Sequence, residues 1–400
     1  MDINDKIPRI AIVVSHPIQH FCPQYISYTN NDHLNIKVFF ASTLGFKEYN
    51  SPGFGKPVVW SNLGLDQFPH EFLNNNEVIM SNRKLDAPDL EGRLDAFAPD
   101  VIVVYGYWQK YQRRAMKYAK NAKKKVFYIS DGERRQQRNQ LIEIAKSFLL
   151  RNYFKKIDAF LSVGNANENY YKAYGIKEDK IFRTPFPIDI KRYEANYVNK
   201  EQVRKKMRAQ YGIENDWICC SVVGKLVDYK SQLDIIKALN ELGNTNLKIL
   251  LLIIGTGRMQ DQLEAAVKKN LNIKVRFTGF VDPIELPGYY AATDIYVHPA
   301  KIDPHPLAIS EAIYMGCPVI VSDRCGSYGE NDDVQDGHNG FVYEWGNIDQ
   351  LKHYIEQLSN DIELRKRFGE YSHNFAVNSQ QLSHSLGLMS ALKNNGFLSD

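Results

Sequence analysis

The sequence predicts an α/β protein made of two doubly wound halves, each a parallel sheet covered by helices. Three observations carry this. Short apolar, β-branched runs alternate along the whole chain with longer segments of mixed polarity, the pattern of strand–helix–strand units. The 400 residues exceed the usual size of one domain, so two domains are expected. The stretch Thr184–Lys200 holds two prolines, few aliphatic residues and no clear period, and so marks a linker.

The first set of strand-like runs is Ile10–Val14, Ile36–Phe40, Val101–Tyr105, Val126–Ile129 and Ala159–Val163. The second is Ile218–Val223, Ile249–Ile254, Val275–Thr278, Ile295–His298, Val319–Ser322 and Phe341–Tyr343. Helical stretches such as Gln232–Leu242 and Met259–Lys269 lie between them. The expected domains are residues 1–187 and 188–375, with a C-terminal helix over residues 376–400 packing back on the first.

Composition excludes several function classes. Lys plus Arg number 50 against 46 Asp plus Glu, a balance of +4 that argues against a dedicated nucleic-acid binder. Apolar stretches fall short of the roughly 20 residues that span a bilayer, and MDINDKIPRI does not read as a signal peptide. Five cysteines without a C-x-x-C pair fit neither a disulfide framework nor a structural zinc site. A cytoplasmic setting is expected.

In open α/β sheets ligands sit beyond the carboxyl ends of the strands, so the residues just after each run are the candidates. After Ile218–Val223 comes Gly224-Lys225, with Lys230 five residues on, a Gly for close backbone approach and two ammoniums for a diphosphate. After Ile249–Ile254 comes Gly255-Thr256-Gly257, which answers equally to phosphate approach and to tight packing. After Ile295–His298 comes Asp303-Pro-His-Pro-Leu-Ala-Ile-Ser-Glu311. Pro306 suits a helix start, leaving the amides of Leu307 and Ala308 open to an oxygen ligand. Asp303 and Glu311 suit sugar hydroxyls, or else complement the helix dipole.

The order G-K-x4-K, G-x-G, F-x-G-F, D-x7-E-A-x3-G-x-P, G-x2-G and G-x-N-G-F over residues 217–345 resembles the donor-binding half of family 4 glycosyltransferases. Ser15-His16-Pro17-Ile18-Gln19-His20 and Pro52-Gly53-Phe54-Gly55 resemble one branch of that family. The resemblance implies a GT-B fold, with the two Rossmann-like domains facing each other across a cleft. It also implies retaining transfer from a nucleotide sugar, UDP- or GDP-linked, to a saccharide or lipid-linked acceptor in polysaccharide or glycoconjugate synthesis. Lys225 and Lys230 would hold the diphosphate in place of a metal, so no cofactor is implied. Glu311 would bind the ribose, and Asp303, where the family usually has Glu, the transferred sugar. Gly224, Gly257, Phe280, Val281, His305, Leu307 and Ala308 would complete the donor site. A nucleotide-sugar epimerase or hydrolase on the same fold and a non-catalytic sugar-nucleotide binder are the rival readings.

In the first half, His16 and His20 follow the first strand and are candidates for the donor phosphate or the acceptor hydroxyl. Asp131 and Glu133 follow Val126–Ile129 and are candidates for the acceptor or cleft side, Asp131 for a sugar hydroxyl or an acceptor. The Gly- and aromatic-rich stretch Thr43–His70 reads as part of an acceptor site or as packing on the domain surface. Residues 101–160 hold 15 Lys and Arg against four Asp and Glu. Leu141, Ile144, Ala145, Phe148 and Leu149 share one helical stripe there. Residues 110–156 read as a solvated basic face or as a peripheral contact with the anionic inner face of a membrane.

Overall fold

Parallel strands between two helical layers bury both faces, and the apolar runs meet that demand residue by residue. A computed structural model of the chain describes residues 7–19, 21–51, 56–60, 63–135, 140–243, 245–381 and 386–399. Two units result. Met1–Ser51, Lys56–Pro187 and Gln380–Asp400 form unit 1, and Ile188–Ser379 make up the bulk of unit 2.

Unit 1 contains β1 (Arg9–Val14), α1 (Cys22–Thr29), β2 (Asn35–Phe40), β3 (Tyr49–Ser51), β4 (Lys56–Val58), β5 (His70–Phe72), α2 (Leu90–Phe97), β6 (Val101–Tyr105), α3 (Lys110–Asn121), β7 (Lys125–Ser130), α4 (Gln140–Phe154), β8 (Ala159–Ser162), α5 (Asn165–Ala173) and β9 (Ile181–Arg183). Its seven-stranded sheet has the order β5-β2-β1-β6-β7-β8-β9, parallel throughout. Antiparallel β3 and β4 stand apart from it. In the stretch Thr43–His70, Phe68 packs against Tyr25 and Phe40, and Phe46 stacks on Phe72.

Unit 2 contains α6 (Ile190–Val198), α7 (Lys200–Gln210), β10 (Ile218–Val223), α8 (Gln232–Leu242), β11 (Ile249–Ile254), α9 (Gln260–Ala266), β12 (Ile273–Gly279), α10 (Leu286–Ala292), β13 (Ile295–His298), α11 (Leu307–Tyr314), β14 (Val319–Ser322), β15 (Gly340–Tyr343) and α12 (Ile348–Asn360). Helix α13 (Ile362–Gln381) leads out of it, and α14 (Gly387–Asn394) lies against β8 and β9 of unit 1. The sheet order is β12-β11-β10-β13-β14-β15, again parallel. The period of two is visible in its cores. Cys219, Leu250, Leu252, Tyr296, Val319 and Val321 face one helical layer, while Cys220, Leu251, Ile253, Val297 and Ile320 face the other. All five cysteines are buried and unbridged. Among the described residues no helix is long and apolar enough to cross a membrane.

The interval read as a linker is shorter than Thr184–Lys200, because α6 occupies most of it. Asp189 caps this helix by accepting a hydrogen bond from the Arg192 amide at 3.3 Å. Tyr193, the single buried residue of α6, pins it to the unit 2 core. With only one buried position the helix carries no apolar period, which is why the sequence reads as irregular.

Asp294, just before β13, braces unit 2. It accepts from Arg204 at 2.5 Å, Arg208 at 3.1 Å and the Cys219 amide at 2.8 Å, tying α7 to β10. Arg208 is buried and donates also to the Glu214 and Trp217 carbonyls, each at 2.7 Å. Asp294→Asn leaves a buried guanidinium without its counter-charge, so a loss of about 3 kcal/mol is expected from denaturant unfolding.

Candidate active site

In unit 2 the strand order reverses between β10 and β13, and the crevice beyond such a switch point is where ligands bind in open α/β sheets. β10 ends at Val223 and runs into Gly224 and Lys225, then a 3-10 turn over Asp228–Lys230. β13 ends at His298 and runs through a loop into α11. Gly224 adopts φ +149°, and a Cβ there would meet nothing within 4 Å, so its backbone borders open space.

Asp303 joins the two loops. Its Oδ2 pairs with the Lys230 ammonium and lies 2.7 Å from His298 Nε2. His298 Nδ1 lies 3.2 Å from the Tyr296 hydroxyl. Burial holds the His298 ring below the usual imidazole range against the pull of Asp303, so it is neutral at pH 7. One tautomer serves both contacts: Nε2–H donates to Asp303, and Nδ1 accepts from Tyr296. Burial pushes the Asp303 carboxyl up, but the His298 hydrogen bond and the Lys230 charge outweigh it and bring it down to about 2. The loop is also held from behind. The Gly326 amide donates to the Asp303 carbonyl at 2.9 Å, and a Cβ on Gly326 would sit 1.5 Å from the Pro304 carbonyl oxygen. Only glycine permits that approach.

Lys225 is half-buried, and burial together with the Lys230 charge lowers its ammonium below the ordinary range. Two neighbouring cations that repel one another form a site an anion would relieve. Pro306 stands at the N-cap of α11, so Leu307 and Ala308 supply its first amides, which have no acceptor within the helix.

Glu311 sits in a different environment, although it shares the D-x7-E motif with Asp303. Its Oε2 accepts from the Tyr290 hydroxyl at 2.9 Å. Burial raises its carboxyl to about 7, against the opposing pull of the Tyr290 and Tyr193 hydroxyls and the Arg192 charge. Near neutral pH it is therefore divided between acid and carboxylate.

Other candidates fall elsewhere. His305 is buried, with Nδ1 3.0 Å from Ser327 Oγ. With Asp332 and Asp333 it forms the one group among the described residues able to hold a small cation, one ligand atom from each lying within 4.8 Å of the others. Gly257 packs loop on loop, since its Cβ would sit 2.3 Å from the Leu226 carbonyl oxygen. Phe280 and Val281 follow β12 and are half-buried.

In unit 1 the switch point lies between β1 and β6, and His16 follows β1 there. Its Nδ1 is 2.8 Å from Ser15 Oγ, and burial lowers it to about 4, so the ring is neutral at pH 7. Asp131 is exposed whereas Glu133 is buried, so the two carboxylates do not present one face. His20 and Pro52-Gly53-Phe54-Gly55 lie outside the described residues. Sequence reasoning missed His298, Tyr290, Tyr193 and Arg192. Of these, His298 alone had a local signal, a titratable residue closing an apolar strand.

Asp303→Asn removes the charge that Lys230 and the His298 contact are built around, and a loss of about 3 kcal/mol is expected. The folded carboxyl lies below its ordinary value of 3.8. Its stabilisation is therefore complete above pH 3.8 and lost as pH falls toward 2. Acid unfolding of the Asn variant should lack that component of the slope.

Residues 203–375 match the family model described as Glycosyl transferases group 1. An uncharacterized glycosyltransferase of Methanocaldococcus jannaschii is 26% identical over 260 residues, 63% of this chain and 64% of that protein. The UDP-Gal:alpha-D-GlcNAc-diphosphoundecaprenol alpha-1,3-galactosyltransferase of Escherichia coli is 27% identical over 184 residues, 46% of each chain. The match thus spans less than two thirds of either relative's length. Among solved structures, Anabaena HepE in complex with UDP-glucose aligns with TM-score 0.65 at 18% identity, covering 95% of this chain and 99% of that one. Unit 2 is thus similar in sequence to group 1 glycosyl transferases, and the chain has the two-domain GT-B fold of its structural neighbours.

Proposed function

We propose that this chain is a retaining glycosyltransferase, moving a hexosyl or N-acetylhexosaminyl group from a nucleoside-diphosphate sugar to a saccharide or lipid-linked acceptor without a metal ion. The observation that carries this is the gathering of Lys225, Lys230, ionised Asp303 and the first amides of α11 at the switch point of the unit that matches the family. The name of the E. coli relative specifies a UDP-sugar and a lipid diphosphate, and the Anabaena structure holds UDP-glucose, which supports a uridine nucleotide and a lipid-linked acceptor here.

In this reading the diphosphate lies against Lys225, Lys230 and the amides of Leu307 and Ala308. These stabilise charge as it develops on the leaving group. Asp303, locked by His298, accepts hydrogen bonds from the transferred sugar, and Glu311 accepts from the ribose. The leaving phosphate takes the acceptor proton on the same face, so the protein supplies position and charge more than a general base. Within unit 1, neutral His16 and exposed Asp131 are the residues we assign to the acceptor. The reaction belongs to the cytoplasm, and the cation-rich residues 110–156 give a peripheral contact where a lipid-linked acceptor would be met.

Thermal-shift measurements with UDP, GDP and ADP test the donor. A ligand at a hundred times its Kd raises stability by about 2.7 kcal/mol, and no shift with any of the three would refute the reading. Product analysis should then show a new glycosidic bond of retained configuration; free sugar or an epimerised donor would refute transfer. Lys225→Ala and Lys230→Ala should each lower kcat/KM by about 100-fold, and unchanged turnover would remove the phosphate assignment. Chelator should leave activity intact. A loss restored by manganese would point instead to a cation at His305, Asp332 and Asp333.

The Glu311 carboxyl near 7 generates a pH dependence. Only the ionised form accepts two ribose hydroxyls, so donor affinity should weaken by about tenfold from pH 8 to pH 6. Glu311→Gln should bind weakly with a flat profile, and a pH-independent wild-type affinity would contradict the role.

A further inference from the structure

Helix α4 is apolar on both sides, and one of those sides faces solvent. Leu150 and Phe154 are buried in the unit 1 core, with Tyr153 packed 6.0 Å from Tyr107 and 6.3 Å from Tyr128, ring to ring. Ile144, Phe148 and Leu149, by contrast, are 67%, 70% and 67% exposed. Ile144 and Phe148, four positions apart, share one strip along the helix, and Leu149 widens that apolar face by one position around it. Nowhere else among the described residues do three large apolar side chains stand exposed within six positions. Such a patch marks a contact surface. Trp108, next to the Tyr107 that packs on α4, is 49% exposed as well.

The charge around the strip says what covers it. Arg151, Lys155 and Lys156 stand exposed at the C-terminal end of the helix, and Lys110, Arg113, Lys117 and Lys120 on α3 are exposed too. Within α4 the only acid is Glu143. A second copy seated on this face would bring like charges together. An anionic lipid surface meets both features, acyl chains for the strip and phosphates for the cations. At 15 residues α4 is shorter than the roughly 20 needed to cross a bilayer, so it lies along the surface.

We propose that α4 is an interfacial helix that seats unit 1 on an anionic bilayer, inserting Ile144, Phe148 and Leu149 below the headgroups while Arg151, Lys155 and Lys156 bind lipid phosphates. This deepens the peripheral contact of the transferase reading by giving it an insertion face. It rests on that reading only for the acceptor's location, because the surface chemistry of α4 stands independently. A failed nucleotide shift would sink the transferase and leave the docking intact.

The test uses the full chain and vesicles rich in phosphatidylglycerol or made of phosphatidylcholine alone. The wild type should co-sediment with the anionic vesicles and much less with the neutral ones. Ile144→Ser/Phe148→Ser/Leu149→Ser together keep every charge and should weaken anionic binding by about tenfold or more. Arg151→Gln/Lys155→Gln/Lys156→Gln should weaken it in low salt and have little further effect in high salt. All six side chains are exposed, so thermal unfolding of both variants should match the wild type. Absence of wild-type binding to anionic vesicles, or equal binding by the triple Ser variant, would overturn the proposal. So would a wild-type dimer in light scattering that the Ser variant converts to monomer, which would assign the strip to a second copy.

Discussion

One carboxylate oxygen, Oδ2 of Asp303, is the constraint on which the unit 2 site depends. It is the common partner of Lys230, from the loop after β10, and His298, from the end of β13. These strands are neighbours in the sheet, yet their connections leave in opposite directions, which opens a crevice beyond their ends. Without a bond across it, the two loops would be free to separate. The His298 ring adds direction to the charge. Its tautomer is dictated by Asp303 itself, since an ionised carboxylate can only accept: Nε2–H donates to Asp303, and Nδ1 accepts from the Tyr296 hydroxyl behind it.

The same constraint divides the labour of the D-x7-E pair. Read from the sequence, Asp303 and Glu311 are two similar acids flanking a helix start. In the folded chain one is surrounded by a cation and a ring N–H, and the other by tyrosine hydroxyls in a buried setting. One is held ionised through the whole working range, while the other exchanges its proton near neutrality. A hydroxyl donating to Glu311 would stabilise its carboxylate over the acid, whereas Asp303 is already ionised and has no such proton to lose. Spacing alone carries no such distinction, because it arises from Tyr290, 21 residues upstream, and Tyr193, farther upstream on α6.

How much was legible in the sequence follows from how local each signal is. The long strands were readable because burial on both faces writes an unbroken β-branched run into the chain itself. Short strands at the sheet edge, β5 and β9, are three residues each and write too little. Helix α6 was unreadable because a single tyrosine anchors it. Gly224, Lys225, Lys230 and Asp303 could be singled out because strand ends are a position as well as a composition. Asp294 with Arg204 and Arg208 could not, since ion pairs between residues 86 and 90 positions apart leave no trace in spacing. His305 stood in a motif and still points into the protein, where Ser327 receives it.

Helix α4 shows why a periodic pattern names a helix more securely than it names the helix's inner face. The stripe through Ile144, Phe148 and Leu149 and the stripe through Leu150 and Phe154 are both apolar, and either could have served the core. What decides is the packing beneath: Tyr128 on β7, Phe160 on β8 and Tyr171 on α5 form an aromatic socket that the Phe154 ring fills. Once Phe154 is seated, the rotation of the helix is set, and the other stripe has nowhere to go but outward. A near-neutral chain total hides the same asymmetry in charge, because the cations gather on the segment that carries this outward stripe. The packing of one phenylalanine thus determines both that an apolar surface is presented and that it is presented among lysines and arginines.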